Sequence, residues 1–566
     1  MNSLLLIILA IAGYLIAYRV YGRFIGRKVL RVTGLQKMPA HEFRDGVDYV
    51  PTKTHIIFGH HFTTIAGLGP IVGPAIGIIW GWLPAFLWVF LGSIFMGAVH
   101  DFSTLVVSAR NRGKSIGQMT GDIISPSTRY ALQFIMQLLL FIVLAVFAMI
   151  VSSLFVMYPE SVIPVWFQIP VALWLGRQIR KGKNDLLYSV IGLLMLYGFV
   201  LLGVTVPVSL PWDRETSVVV WCVVLFIYIF FASTLPVQKL LQPRDYINSH
   251  QLLVAMVLLI LGVLIARPEM TAPAINHESF RPGSDVPDLA PIMFIVIACG
   301  AISGFHSLAS SGTTVKQLDN ERDALPVGYG SMITESFLAV LVIVAAGAGL
   351  GMGLTDNGEV FRGMAAYEHH YSSWSSANGL TAKLNAFIVG SANLFSSFGI
   401  PVRFGAAFVV VFIVSFANTT LDSAARIQRI SLQEIFTAKE GVVRRPVSNR
   451  YVATLMVVVA AAAMTFYRPG GQGAMVLWPL FGSLNQLMAA LALGVVTVYL
   501  ASGKLPVYYT LVPMVLILGM TLWAMVENLV AFVAGGEILL AVISSIILLL
   551  TGWLTGTSAF ALFRKG

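Results

Sequence analysis

The sequence predicts an all-α polytopic membrane protein with about fifteen transmembrane helices, and three observations carry that prediction. Of 566 residues, 57% are hydrophobic and only 11% charged, whereas a soluble domain is about 25% charged. Apolar runs of roughly 20 residues, the helical length that crosses ~30 Å of hydrocarbon, recur from end to end. Two of these runs, at 58–77 and 299–314, are interrupted by glycine, proline and small hydroxyl residues. A membrane β-barrel would instead show alternating runs of about ten residues, which are not present.

In chain order, spans are expected at 3–18, 57–80, 84–108, 130–157, 162–176, 185–206, 217–236, 250–266, 289–311, 328–352, 404–425, 451–467, 475–500, 506–527 and 532–562. The first lacks a preceding basic residue and a clean small-residue cleavage site, so it reads as a retained helix rather than a signal peptide. The formal net charge of +10 would suggest a nucleic-acid partner for a soluble chain. Here 29 of the 36 Lys and Arg residues fall in alternate loops. The other seven are Arg214, Arg267, Arg281, Arg362, Lys383, Arg403 and Arg468. That bias sets topology: the N-terminus is expected on the outer face of the membrane and the C-terminus on the inner face. The lipid bilayer is an expected partner, nucleic acid is not, and the oligomeric state is open. Cys222 and Cys299 both lie in apolar runs and imply no disulfide framework.

The apolar stretch 384–398 does not fit this count, because a span there would turn the basic loop 426–450 outward. It is expected to be a re-entrant or surface helix on the outer face, sheltered by protein or a cavity. The segment 114–127 is expected to be a short amphipathic helix on the inner face. The chain divides into 1–56, an N-terminal helix and basic loop; 57–288, a first repeat with an extra hairpin; 289–500, a second repeat; and 501–566, two C-terminal helices.

"GLGPIVGP", at 67–74, puts two prolines and three glycines in a span. Each weakens the helix, and the freed backbone groups would be costly in lipid unless a cavity or ligand satisfies them. "CGAISGFHSLASSGTT", at 299–314, breaks a second span, and its Gly304-Phe305-His306 echoes Gly59-His60-His61. The topology runs these two helices in opposite directions, as an inverted repeat requires. The alternative is that the small residues only allow close helix packing.

"FGHHFTTIAGLGPIVGPAIG", "GSIFMGAVHDFSTLVVSARNRGKSIG", "GFHSLASSGTTVKQL" and "FANTTLDSAARIQR" resemble the carbon-starvation protein A family of bacterial inner-membrane transporters. The resemblance implies uptake of peptides or of pyruvate, the latter by proton symport, and a five-plus-five inverted-repeat (LeuT-like) core with discontinuous helices plus extra helices. By that analogy the helices from 57 and 289 are the first and sixth of the core. The surplus pair is assigned to the hairpin 217–266. The chain is expected to be shorter at its C-terminal end than the enterobacterial members, which leaves open whether it shares their substrate.

Ionisable groups inside spans are costly and so are functional candidates. Exposed amide nitrogens at half-helix N-termini suit a carboxylate. Substrate contacts are therefore expected at Gly67, Gly69, Pro70 and Gly73, and at Ser303, Gly304, Phe305, His306, Ser310 and Ser311. Thr419, Thr420, Asp422 and Ser423 offer hydroxyls and a carboxylate for coupling to Na+ or H+, with pairing of Asp422 to Arg426 as the alternative. His60, His61, His100 and Asp101 are candidates for a proton relay, for buried structural roles, or for a Zn2+ site. Neighbours on a helix point ~100° apart, which disfavours one ion on both His60 and His61. Glu335 is a further buried acid. No cofactor is firmly implied. The leading function is ion-coupled import of a short peptide or a small carboxylate such as pyruvate. The alternatives are a membrane-embedded metal-dependent enzyme and a nutrient sensor using the loop 426–450. Absence of "GxxxxGK[ST]" argues against ATP-driven transport, and absence of "HExxH" argues against one class of metalloenzyme.

Overall fold

Side chains outside the apolar runs start the helices. Asn184 Oδ1 accepts the Leu187 N–H at 3.0 Å, Asp213 Oδ2 the Thr216 N–H at 3.1 Å and Ser115 Oγ the Gln118 N–H at 3.3 Å, satisfying amides that the first turn leaves without partners. The computed structural model describes residues 2–34, 37–436 and 446–565. Met1 and the central part of the basic loop proposed as a sensor surface, 437–445, lie outside the described residues.

Among the described residues, eleven helices are long and apolar enough to cross a membrane. A twelfth span is the pair Thr54–Ile65 and Gly69–Trp80, bent by 48° at its break. The three remaining expected spans are helical but do not qualify as single apolar rods. Val162–Arg180 ends in polar residues, Arg450–Phe466 has 17 residues, and the run from Leu289 is cut into Leu289–Val296, Ala298–Ala301 and Gly304–Gly312. The first helix runs to Val29 rather than 18, because Lys and Arg at a span's end can stay helical while their charged heads reach for water.

The loops sort onto two faces. On the basic face, the Val237 N–H donates to Val47 O at 2.9 Å and Val50 N–H to Lys316 O at 3.1 Å. On the opposite face, Ser3 N–H donates to Pro268 O at 3.3 Å, and Asn276 Nδ2 to Ile79 O at 2.8 Å. The short helix Ile116–Ile123 lies on the basic face, and the 17-residue helix Leu380–Ser396 on the opposite one. After each broken helix, with the helix pair 162–205 set aside, the chain follows one order: a span, a face helix, a long helix, then two further helices. The second half repeats it upside down, giving a five-plus-five inverted-repeat core.

The structure corrects which hairpin is surplus. Leu241–Ala266 starts nine residues before the expected 250 and packs centrally, against both Thr54–Ile65 and Val402–Ile435. Arg214–Thr234 packs against Arg450–Phe466, as matching members of the two halves. The pair Val162–Arg180 and Asp185–Thr205 packs on itself, and Leu186, Leu187, Leu194 and Leu201 turn outward. That pair is the insertion. Two helices facing lipid on one side need no place in the core, whereas buried Arg244 and Asp245 require one.

Candidate functional site

The two breaks meet. The first half-helix ends at Ile65 and the second starts at Gly69, with Ala66 at ψ 52° ending the first. In the other repeat Ile302 and Ser303 are extended before the helix resumes at Gly304. A Cβ on Gly73 would stand 2.4 Å from Val296 O and 3.0 Å from Ile297 Cα, so only glycine lets the two broken helices approach this closely. Asn485, from the helix Trp478–Ser502, closes the second break: its Oδ1 accepts the Phe305 N–H at 2.9 Å and its Nδ2 donates to Ser303 Oγ at 3.1 Å.

Between the breaks lies a cavity of about 390 Å³. Leu68, Gly69 and Gly73 line it from the first broken helix, Val296 and Cys299 from the second, and Asn485 from the helix that caps it. Trp374, Asn378 and Lys383 close it from the face opposite the basic loops.

Two buried polar networks are built from residues outside the cavity lining. In one, Asp101 lies 2.7 Å from His100 Nδ1 through one oxygen and 2.9 Å from His306 Nδ1 through the other, and His306 Nε2 faces Glu335 Oε2 at 3.3 Å. All four side chains are fully buried. In the other, Arg244 donates to Asp422, Tyr228 Oη donates to the same carboxylate oxygen at 2.7 Å, and Thr419 Oγ1 accepts from Asn248 Nδ2 at 2.9 Å.

The family model described as carbon starvation protein CstA matches residues 2–524. The chain belongs to that family. A peptide transporter CstA of Campylobacter jejuni subsp. jejuni is 32% identical, over 96% of this chain and 82% of that one. The pyruvate/proton symporter BtsT of Escherichia coli K12 is 33% identical over 93% and 81%, and the E. coli peptide transporter CstA 35% identical over 89% and 77%. Among solved structures, an Eremococcus coleocola manganese transporter with a bis-isothiourea compound aligns at TM-score 0.42 and 14% identity, covering 92% of this chain and 99% of that one. MhsT in complex with L-phenylalanine aligns at TM-score 0.46 and 14% identity, covering 84% and 98%. Likeness at this level adds nothing to the assignment.

In this member of the CstA family, the substrate-contact candidates separate. Gly69 and Gly73 line the cavity. Pro70 sits in the first turn of the half-helix beside them, while a Cβ on Gly67 would point at Thr420 Oγ1, 2.6 Å away. Ser303 lies in the second break and Gly304 and Phe305 open the half-helix after it, with the Phe305 amide and the Ser303 hydroxyl held by Asn485. His306 belongs to the Asp101 network, Ser311 Oγ accepts the Ile116 N–H at 3.1 Å, and Ser310 is buried without a hydroxyl partner among the described residues.

The ion-coupling candidates divide two and two. Thr419 and Asp422 face Arg244. Thr420 Oγ1 donates to Thr64 O at 3.2 Å, and Ser423 Oγ lies 3.1 Å from Thr64 Oγ1. Positions three apart on a helix share a face, and neighbouring positions do not. Pairing of Asp422 with Arg426 is overturned: Arg426 reaches Asp48 at 2.5 Å and the carbonyls of Ala232 and Leu235.

The histidines also diverge. His60 Nδ1 lies 2.5 Å from Asp245 Oδ2 with Nε2 2.9 Å from Thr313 Oγ1, and His61 Nδ1 lies 2.9 Å from Thr314 Oγ1. Among the described residues no group of three His, Cys, Asp or Glu side chains is placed to hold a metal ion.

Sequence reasoning passed over Arg244, Asp245, Asn485, Thr64 and Lys383. Asn485-Gln486 was visible as an amide pair within an apolar run, expensive in a span unless partnered. Arg244 and Asp245 were hidden by starting their helix too late, and Lys383 was counted only as a loop charge.

Proposed function

We propose that this protein is a secondary active transporter that imports a small carboxylate such as pyruvate, or a short peptide, across the bacterial inner membrane by ion-coupled symport. The observation that carries this reading is the cavity between the two helix breaks, where Gly69, Gly73, Val296 and Cys299 meet. Discontinuous helices at the membrane midplane are the usual construction of substrate sites in such carriers. The names of the relatives, peptide transporter and pyruvate/proton symporter, favour this class over a membrane-embedded enzyme or a sensor. With the basic face inward by the positive-inside rule, the N-terminus is periplasmic and the C-terminus cytoplasmic, and the cavity lies toward the periplasm.

For coupling we favour the proton. His306 Nε2 and Glu335 Oε2, 3.3 Å apart and buried, are an ion pair or two neutral groups according to where one proton resides, and His306 lies one turn beyond Ser303 at the second break. Sodium is the second reading, supported by Thr64 O and the hydroxyls of Thr420 and Ser423 at the first break, a hard-oxygen set.

Uptake of labelled pyruvate and of a labelled dipeptide into proteoliposomes, with proton and sodium gradients imposed separately, tests both parts. Concentrative uptake under one gradient supports symport and identifies the ion. Failure of both substrates to accumulate under either gradient rules the proposal out.

A further inference from the structure

Five Lys and Arg side chains are buried among the described residues: Arg244, Lys316, Lys383, Arg426 and Arg429. Four have partners. Arg244 faces Asp422, Arg426 and Arg429 face Asp48, and Lys316 Nζ donates to Gly312 O at 2.6 Å. Lys383, 6% exposed, has no carboxylate within ion-pair distance and no hydrogen bond from its ammonium among the described residues. Among the described residues it is also the only charged one lining the cavity between the helix breaks. The Lys383 side chain is buried as a whole, and its ammonium, unpartnered among the described residues, borders a space large enough for a small ligand, in the ~300–1,000 Å³ range of such sites.

We propose that Lys383 is the anchor for the carboxylate of the solute that occupies this cavity, and that the solute is a small monoanionic acid. The first part follows from the unpaired cation. The second follows from the rest of the lining: Asn378 and Asn528 offer amide hydrogens to a carbonyl oxygen, while Trp374, Phe147 and Trp478 enclose an apolar body. Among the described residues no Asp or Glu lines the cavity, so the free ammonium of a zwitterionic peptide would be desolvated there without a counter-charge. The physiological meaning of the site rests on the transporter reading, but its chemistry does not. The helix Leu380–Ser396 that carries Lys383 packs against the half-helix Gly69–Gly77, so an anion bound to Lys383 ties the face helix to the first break.

Trp374 and Trp478 line the cavity and make binding readable by intrinsic fluorescence on the purified full-length protein in detergent. The probes are pyruvate, its uncharged isostere pyruvamide, and alanylalanine. The wild-type protein is expected to bind pyruvate about 10- to 100-fold more tightly than pyruvamide, the range of one charge-assisted contact, and more tightly than alanylalanine. In Lys383→Met the preference of pyruvate over pyruvamide collapses toward unity, and Lys383→Arg restores part of it. The comparison of two ligands on wild-type protein holds even where a variant folds poorly. Equal binding of pyruvate and pyruvamide, no binding of pyruvate, or an unchanged preference in Lys383→Met overturns the anchor. Tighter binding of alanylalanine than pyruvate overturns the small-acid assignment. Binding that depends on Lys383 without accumulation in sealed vesicles would sink the transporter reading and leave the anchor standing.

Discussion

Arg244 and Asp422 join two central helices, Leu241–Ala266 and Val402–Ile435, through an ion pair in which each side chain is 1% exposed. Breaking such a pair from one side leaves a desolvated charge, at about 3–5 kcal/mol, whereas apolar replacement of both partners is often neutral. Arg244→Met and Asp422→Asn should each lower the unfolding midpoint in detergent strongly, and Arg244→Met/Asp422→Leu should recover most of the loss. Additive losses in the double variant would show that the pair is not the source of the effect. Full ion-dependent uptake by a folded Asp422→Asn variant would remove Asp422 from any coupling role.

The second network predicts a different behaviour. If His306 and Glu335 carry the coupled proton, Glu335→Gln cannot release one, yet the cavity is unchanged. Exchange of labelled for unlabelled substrate should persist near the wild-type rate, while accumulation driven by a proton gradient falls at least about a hundredfold, the lower end of what a single general acid–base group contributes. Retained proton-driven accumulation in Glu335→Gln would move the coupling site elsewhere, with Thr64, Thr420 and Ser423 next in line.

Asp48 gives a prediction on stability. Burial raises its pKa, but the Arg429 and Arg426 guanidiniums outweigh burial and hold the carboxyl well below the ordinary carboxylate range. A depressed folded pKa contributes stability that is fully present above the unfolded value, ~3.9, and is lost only as pH falls through the folded value. Asp48→Asn should therefore destabilise the protein by about 2–4 kcal/mol, and the gap to wild type should be flat from about pH 5.5 to 8. A gap that closes within that window would contradict the pairing.

At the crossing of the broken helices, Gly73→Ala places a methyl 2.4 Å from Val296 O, a backbone atom that cannot step aside. Overpacking of this kind costs about 1–3 kcal/mol and narrows the cavity. Uptake should fall sharply, with KM rising before stability fails. A Gly73→Ala variant with wild-type uptake would show that the two breaks are farther apart in the working protein.

The all-helical class, the opposed broken helices and the division of loops between two faces were legible from apolar run length, from the proline and glycine clusters, and from where Lys and Arg fall. These features depend on local chemistry: a span needs its length, and a broken span needs a reason. The pairing of residues was not legible. His60 and His61 are adjacent, yet one meets Asp245 and the other Thr314. Likewise Thr419 to Ser423 read as one oxygen-rich motif but face two partners.

The sequence by itself determined that the chain lives in a bilayer, crosses it many times, and breaks two helices where their backbone groups need a ligand or a cavity. Only the tertiary structure decided which charges neutralise one another. Arg244, Arg426 and Arg429 find carboxylates on distant segments, and Lys383 finds a cavity instead. Span length and loop charge act along the chain or across the membrane normal, so one dimension records them. Which buried cation is left for a ligand depends on distances between helices that are hundreds of residues apart, and a linear sequence does not hold those distances.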